Sequence, residues 1–262
     1  MENDPGLGLL ADTDLLFSLP RCEIIKDQRK IKVGRLPIAI GGKIHSIYVK
    51  RYNAFSRRYR LGSLFTRSGA RRSWVGSAIL TQAGFVTGEA IAAIECRRWG
   101  MLAKSFYVSK EISGGKTLDA YWREDLSPLV GIEGFRRRRS FLKALAELFH
   151  SLHQRNIYHD DLKDANIIVS PGTSNGEESF HLLDLEGVRR TIWLAERRRV
   201  KNLVQLNRTM GRFLRGAEKL YLLKVYLGDR FADRIEKRRW VSKILKVTQD
   251  RDRRSLRKAT QA

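Results

Sequence analysis

The chain has 262 residues, which is enough for one large domain or for two smaller lobes with a core in each. Its composition, 42% hydrophobic and 30% charged, is typical of a folded soluble protein and excludes an intrinsically disordered chain. The 51 Lys and Arg against 28 Asp and Glu give a net charge of +23. Such a charge favours a polyanionic partner, which could be nucleic acid, an anionic membrane surface, or a phosphorylated lipid or sugar.

Cysteine usage and hydropathy indicate the compartment. Cys22 and Cys96 are far apart and outside any metal-ligand spacing, so we expect two free thiols in a reducing environment. The N-terminus lacks the basic and apolar regions of a signal peptide, and no run of about 18 apolar residues predicts a transmembrane helix. We therefore expect a cytoplasmic protein that is dissolved or lies peripherally on a membrane surface.

The first half of the chain is predicted to be rich in strands. After a loose leader at residues 1–20, β-branched and aromatic residues alternate with polar ones, and Gly41-Gly42 supplies a turn. Residues 71–84 have the pattern of a helix that ends at a glycine. The strands are predicted at residues 23–33, 35–40, 43–52, 90–96 and 102–112.

The second half is predicted to be mainly helical and very basic. Residues 136–156 carry one apolar stripe at helical spacing. Further along, the apolar segments Ile167–Val169 and Leu182–Leu183 are expected to form a buried hairpin. The stripe consists of Phe141, Leu142, Leu145, Leu148, Phe149 and Leu152.

The stretch "IYHDDLKDANIIV" has the chemistry of a phosphoryl-transfer loop. Such transfer needs a carboxylate that orients and deprotonates the attacking hydroxyl, ligands for the metal ions that neutralise the phosphates, and a lysine that holds them. Asp161 and Asn166, five residues apart, supply the first and part of the second. Asp184, at the end of a predicted strand, is the candidate for the main metal ligand. Lys163 lies within the loop and could reach the γ-phosphate.

These motifs resemble those of protein kinases. H-D-D-L-K-D-A-N is similar to the catalytic loop H-R-D-L-K-x-x-N, and D-L-E-G is similar to D-F-G. The strand "SIYVK" resembles the one that carries the phosphate-binding lysine, which is Lys50 here. The resemblance implies a two-lobed α+β fold, with a strand-rich N-lobe at residues 21–112 and a mainly helical C-lobe at residues 113–262. A coincidental polar hairpin is the alternative.

Several departures separate the chain from regulated protein kinases. Asp160 occupies the place of the arginine that binds a phosphorylated activation loop, so a phosphate there would be repelled. No G-x-G-x-x-G precedes Lys50. No Asp or Glu lies between Asp27 and Glu89, so the helix at 71–84 cannot give Lys50 a glutamate partner. A solvated strand lysine remains the alternative for Lys50.

The chain most resembles the lipopolysaccharide core kinase family, which phosphorylates heptose or Kdo. The resemblance implies transfer from ATP with Mg²⁺ to a lipid-linked core oligosaccharide at the cytoplasmic face of the inner membrane. Residues 28–88 hold thirteen Lys or Arg and no acid, which suits an anionic membrane surface. The matching pieces are "YVKRY", "ARRSWVGSAILTQAGF", "LHQRNIYHDDLKDANIIV", "LLDLEGVR" and "VKNLVQLNRT".

The resemblance also implies the role of each site residue. Asp161 is the expected general base, Asn166 and Asp184 the Mg²⁺ ligands, and Lys50 and Lys163 the phosphate-binding lysines. We expect a monomer, and no nucleic acid as partner. Two rival functions stay open: a kinase-like enzyme that acts on a protein or small molecule, and a non-catalytic relative that binds anionic lipid or nucleic acid.

Overall fold

The computed structural model describes residues 12–40, 42–171 and 178–260. The chain forms two compact units. The first contains the described residues up to Ser113 together with Asp184–Val188, and the second contains those of Gly114–Leu183 and from Arg189 onward. Strands dominate the N-terminal part and helices the C-terminal part, which confirms the predicted α+β class. In the described ranges, every helix is too short or too polar to cross a bilayer.

An antiparallel sheet forms most of the first unit. In spatial order its strands are Glu23–Asp27, Ile31–Ile40, Lys43–Asn53, Met101–Lys110 and Ala90–Arg98, so the strand that carries Lys50 lies in the middle. The turn inside the first predicted strand lies at residues 28–30, where Gln28 and Ile31 exchange backbone hydrogen bonds. The elements are β1 (Glu23–Asp27), β2 (Ile31–Ile40), β3 (Lys43–Asn53), α1 (Arg57–Gly62), α2 (Gly69–Gln82), β4 (Val86–Thr87), β5 (Ala90–Arg98) and β6 (Met101–Lys110).

Side chains alternate between the two faces of β3, as the sequence pattern predicts. Ile47 and Val49 are fully buried, and they pack with Leu36, Phe106 and Val108 in the core of the first unit. Lys50 therefore projects from the opposite face of the sheet. The core fixes the position of the strand, and the strand fixes the position of the lysine.

The N-terminal segment departs from the predicted loose leader. Residues 1–11 lie outside the described ranges, but Leu15–Ser18 forms a 3-10 turn, and Leu16 is fully buried in the core of the first unit. Asp14 forms an ion pair with Arg51, with 3.1 Å between the carboxylate oxygen and the guanidinium nitrogen. The prediction is wrong for this turn, because the apolar residues among positions 15–19 form a run too short to show a helical or strand period.

Helices form most of the second unit. The long helix Gly131–Gln154 packs against the helix Gly216–Leu227, and the strand Ile167–Pro171 pairs with both Glu178–Leu182 and Lys116–Thr117. The elements from residue 114 onward are β7 (Lys116–Thr117), α3 (Leu118–Tyr121), α4 (Gly131–Gln154), β8 (Ile157–His159), β9 (Ile167–Pro171), β10 (Glu178–Leu182), β11 (Val188–Arg190), α5 (Glu196–Thr209), α6 (Gly216–Leu227) and α7 (Arg234–Thr260).

The apolar stripe of α4 and the hairpin after it are where the sequence predicts them. Five of the six predicted stripe residues are buried, and Leu148 is half-buried at the margin. In the hairpin, Ile167 pairs with Leu182, and both are fully buried. This hairpin leads the chain away from the polar loop at residues 160–166 and back towards Asp184.

A glycine in α2 allows a close approach to the segment after Asp184. A β-carbon at Gly76 would lie 2.1 Å from the carbonyl oxygen of Leu185, which is far inside van der Waals contact. Both residues belong to the first unit. The absence of a side chain at Gly76 therefore sets how closely the helix packs on the segment that carries Asp184.

Gly76→Ala is expected to destabilise the protein by about 1–3 kcal/mol, the usual cost of overpacking. Alanine is normally favoured over glycine in a helix by about 1 kcal/mol, so the clash must outweigh this gain. Gly62→Ala, where no atom lies within 4 Å of the new β-carbon, is the matched control and should be neutral or slightly stabilising. Urea unfolding followed by circular dichroism measures both. Equal midpoints for the two variants would contradict the close contact.

Candidate active site

The polar loop after β8 holds three of the predicted site residues together. Asp161 Oδ2 accepts a hydrogen bond from Lys163 Nζ at 2.7 Å and another from Asn166 Nδ2 at 3.2 Å. Asn166 Nδ2 also donates to the backbone oxygen of Asp161 at 2.7 Å. The five-residue step from Asp161 to Asn166 is thus a closed, hydrogen-bonded loop, with the lysine ammonium against the carboxylate.

His159 ties this loop to the strand that leads to Asp184. Its ring is buried, and Nδ1 accepts the backbone N–H of Asp161 at 3.1 Å. Because Nδ1 is an acceptor, the ring proton is on Nε2, which donates to the carbonyl oxygen of Leu183 at 2.7 Å. Leu183 N–H in turn donates to the backbone oxygen of Asn166 at 2.9 Å. His159 is a positioning residue for the loop.

Two polar residues of α5 also hold the loop. Asn202, with none of its surface exposed, donates to the carbonyl oxygen of His159 at 2.6 Å. Gln205 donates to the backbone oxygen of Asp160 at 2.7 Å and lies 3.4 Å from Asp161 Oδ1. The sequence prediction gave neither residue a role. Their signal is a pair of amides, three residues apart, on the otherwise apolar face of a helix.

A buried histidine extends this network into the core of the second unit. His153 donates from Nε2 to Asn202 Oδ1 at 3.1 Å, because the amide nitrogen of Asn202 is already a donor elsewhere. Its Nδ1 accepts the Tyr226 hydroxyl at 2.8 Å. Burial, partly opposed by the Asn202 hydrogen bond, lowers the pKa of His153 to about 4. The network therefore contains a neutral histidine at physiological pH.

In the first unit, Lys50 pairs with Asp184. Their side chains are 2.5 Å apart, and both are partly buried. Burial opposes the charge of Lys50, but the Tyr52 oxygen and the carboxylates of Asp184 and Glu186 outweigh it and raise the lysine pKa above its usual range. Lys50 is therefore a charged, ion-paired side chain, which differs from a solvated strand lysine.

Asp184 has a left-handed backbone conformation, with a φ of 56°. Asp and Asn adopt this region more readily than other residues with a side chain, and such conformations cluster at functional sites. The conformation ends the extended chain of β10 and begins the 3-10 turn Leu185–Gly187. This change of direction is what presents the Asp184 carboxylate to Lys50.

A second ion pair takes the place of the missing helix glutamate. Arg72 on α2 lies 3.3 Å from Glu186, so the cation comes from the helix and the carboxylate from the segment after Asp184. Next to it, the Tyr52 hydroxyl bonds Ser73 at 2.9 Å. The sequence prediction found no role for Glu186. In protein kinases the helix supplies the carboxylate of the ion pair, whereas here the helix α2 supplies the cation, Arg72, and Glu186 supplies the carboxylate.

The chain has a protein-kinase-like fold. The first unit is an antiparallel sheet with one long helix, and the second is mainly helical and carries the loop with Asp161, Lys163 and Asn166. A family model for the lipopolysaccharide kinase (Kdo/WaaP) family matches residues 39–226. This is more than half of the chain, and the chain belongs to that family. Kinase and transferase activity and a place in lipopolysaccharide biosynthesis follow from this membership.

A solved structure of WaaP in complex with acyl carrier protein is similar in fold. The TM-score is 0.64 and the sequence identity is 19%, over 90% of this chain and 91% of that chain. A comparison with curated proteins finds no significant match.

The lowered pKa of His153 predicts a loss of stability on mild acidification. Between pH 6.5 and about 4 the unfolded chain binds a proton at His153 that the folded chain does not, so stability falls as pH falls. The histidine contributes roughly 3 kcal/mol to this loss, since each pKa unit corresponds to about 1.4 kcal/mol. The free energy of unfolding in urea, measured from pH 7.5 to 4.5, tests this.

In the same experiment, His153→Gln should be less stable than the wild type at pH 7, because its hydrogen bonds are altered. It should also lose less stability on acidification, since glutamine does not titrate. Identical pH slopes for the two proteins would show that His153 is not the group responsible.

Proposed function

We propose that the protein transfers the γ-phosphoryl group of ATP to a sugar hydroxyl, on heptose or Kdo, in the lipopolysaccharide inner core at the cytoplasmic membrane face. Membership in the family supports a lipopolysaccharide phosphotransferase. The observation that carries the proposal is the hydrogen-bonded cluster of Asp161, Lys163 and Asn166 on one loop. It unites a carboxylate, an ammonium and an amide oxygen, as phosphoryl transfer requires.

Asp161 is the general base in this proposal. Its carboxylate orients the acceptor hydroxyl and takes the proton as the new phosphorus–oxygen bond forms and ADP leaves. The ammonium of Lys163 lies 2.7 Å from the same carboxylate, where it can offset the charge of the transferred phosphoryl group. His159, Asn202 and Gln205 act by holding the loop in place.

Asn166 and Asp184 are the proposed Mg²⁺ ligands, and Lys50 the proposed phosphate-binding lysine. Asn166 uses its amide nitrogen within the loop, which leaves its amide oxygen for a cation. The described residues contain no group of three or more His, Cys, Asp or Glu side chains that could hold a metal ion. Mg²⁺ needs only one or two carboxylates besides phosphate oxygens and water, so the residues fit. Bound Mg²⁺ neutralises phosphate charge.

The location at a membrane surface is supported by charge. Thirteen Lys or Arg and no acid lie in residues 28–88, and the C-terminal helix α7 is basic again. Each such residue near an anionic leaflet contributes about 1 kcal/mol. A lipid-linked acceptor would meet the enzyme at such a surface.

A regulated protein kinase is the main rival, and Asp160 disfavours it. Its carboxylate lies 3.3 Å from Lys201 and 3.8 Å from Arg189, so it pairs with two cations that could otherwise bind a phosphorylated loop. A non-catalytic relative is disfavoured by the complete set of Asp161, Lys163 and Asn166.

Asp161→Asn is expected to lower the rate of phosphate transfer to purified lipopolysaccharide core by about 10²–10⁴-fold, the usual contribution of a positioned base. Asp160→Asn, the matched control, should lose no more than about tenfold, because this side chain makes ion pairs but contacts no other site residue of the loop. Labelled ATP and core oligosaccharide provide the assay, with generic proteins as competing acceptors.

If Asp160→Asn lowered the transfer rate more than Asp161→Asn, the assignment of Asp161 as the base would be wrong. Efficient labelling of proteins, with none on the core, would favour the rival kinase function. No transfer by the wild-type protein to any acceptor would favour the non-catalytic rival.

Binding to anionic vesicles is expected to depend strongly on salt. The attraction fades within a Debye length, which is about 8 Å at physiological salt and about 3 Å at 1 M. The protein should sediment with phosphatidylglycerol vesicles at low salt, about 50 mM, and should be released from them at about 1 M salt. Neutral phosphatidylcholine vesicles are the control. Binding that is insensitive to salt, or equal on both vesicles, would refute the electrostatic account.

A further inference from the structure

A basic cavity lies in the second unit, beside the loop that carries Asp161. Its volume is about 660 Å³, and it opens between the first turns of α5 and residues 247–254 of α7. This volume is in the range of small-molecule sites, about 300–1,000 Å³, and is larger than a single ion needs. The cations in its wall are Arg189, Arg197, Arg198, Lys201, Arg251 and Arg254.

The positive charge of this cavity is only partly compensated. Its wall contains two carboxylates, Asp160 and Asp250, against the six cations. Asp160 pairs with Lys201 and Arg189. Within the described ranges, no ion pair forms at Arg251 or Arg254. Several like charges around one concave surface repel each other and attract anions, so the cavity is suited to an anionic ligand.

The cavity shares residues with the catalytic loop. Asp160 is in its wall, and the next residue is Asp161, the proposed base. Tyr158, on β8, is also in the wall, and the cations of Arg198 and Lys201 both lie 5.3 Å from the centre of its ring. The same strand and loop therefore form the wall of the cavity and position the base. A ligand held here would lie next to the loop that receives the acceptor hydroxyl.

We propose that this cavity is a binding subsite for the acceptor, which holds phosphate or carboxylate groups on the sugar units adjoining the one that is phosphorylated. The inference rests on the proposed function and adds the requirement that the acceptor be anionic. Arginine binds phosphate and carboxylate through paired hydrogen bonds, which suits a wall with five arginines. The subsite contributes to acceptor affinity and leaves the chemical step to Asp161.

The double substitution Arg251→Gln/Arg254→Gln tests the subsite. These two side chains lie on α7, away from the catalytic loop in sequence, and they form no ion pair with the described residues, so the protein should fold normally. Arg253→Gln/Arg257→Gln is the matched control: it removes two cations from exposed positions of the same helix that are outside the cavity wall. Thermal unfolding midpoints verify that both variants are folded.

The probes are delipidated core oligosaccharide, and the same oligosaccharide after its phosphates are hydrolysed and its carboxyl groups reduced. Calorimetry gives Kd, and phosphate transfer gives KM and kcat. The cavity variant should raise Kd and KM for the anionic oligosaccharide by about tenfold or more, with kcat within about twofold. The control variant should match the wild type. For the neutralised oligosaccharide, all three proteins should bind equally weakly.

Two outcomes would overturn the subsite. One is an equal Kd for the cavity variant and its control. The other is a cavity variant that binds the oligosaccharide normally but loses anionic vesicles, since the cavity would then hold phospholipid headgroups. If the wild type binds the oligosaccharide through Arg251 and Arg254 but transfers no phosphate, the proposed function fails and the subsite stands. If it transfers phosphate and both variants match it, the subsite fails and the function stands.

Discussion

The ring of His159 is the connection on which the candidate site depends. One nitrogen accepts the backbone N–H of Asp161 and the other donates to the carbonyl oxygen of Leu183. A single neutral imidazole thus joins the loop that carries the proposed base to the strand that ends just before Asp184. A protonated ring could not accept at Nδ1, and an aliphatic residue could make neither bond. Asn202 hydrogen-bonds the backbone of His159, and His153 hydrogen-bonds Asn202, so this histidine is connected to the core of the second unit.

Charge compensation explains why the short segment after Leu183 belongs to the first unit. The chain from residue 28 to 88 contains thirteen cations and no carboxylate, so it cannot neutralise its own partly buried Lys50 or the Arg72 of its helix. Asp184 and Glu186 supply the two carboxylates, to Lys50 and Arg72. The close approach at Gly76 allows the segment to reach both partners. The polarity of the helix pair is the reverse of the protein-kinase arrangement, but two ion pairs still hold this segment to the strand and helix of the first unit.

Local patterns predicted most of the elements and which residues of the loop lie together. Alternation marked the strands around Lys50, helical spacing marked α4, and the five-residue step identified Asp161 and Asn166 as neighbours. These signals are contained in short windows of sequence. The pair of Arg72 and Glu186 is separated by 114 positions, so no window contains both partners. Likewise, Asn202 is a buried amide whose partner, His159, lies far from it in sequence, and Leu16 lies in an apolar run too short to show a period.

The left-handed backbone at Asp184 limits which amino acids fit this position without strain. Glycine satisfies the handedness but has no carboxylate for Lys50. Glutamate keeps the charge, but its longer side chain lacks the local hydrogen bonding that lets short polar residues occupy this region. Asparagine suits the backbone and is neutral. Backbone geometry and electrostatics therefore favour aspartate at this position for two independent reasons, and each of the three alternatives meets only one of them.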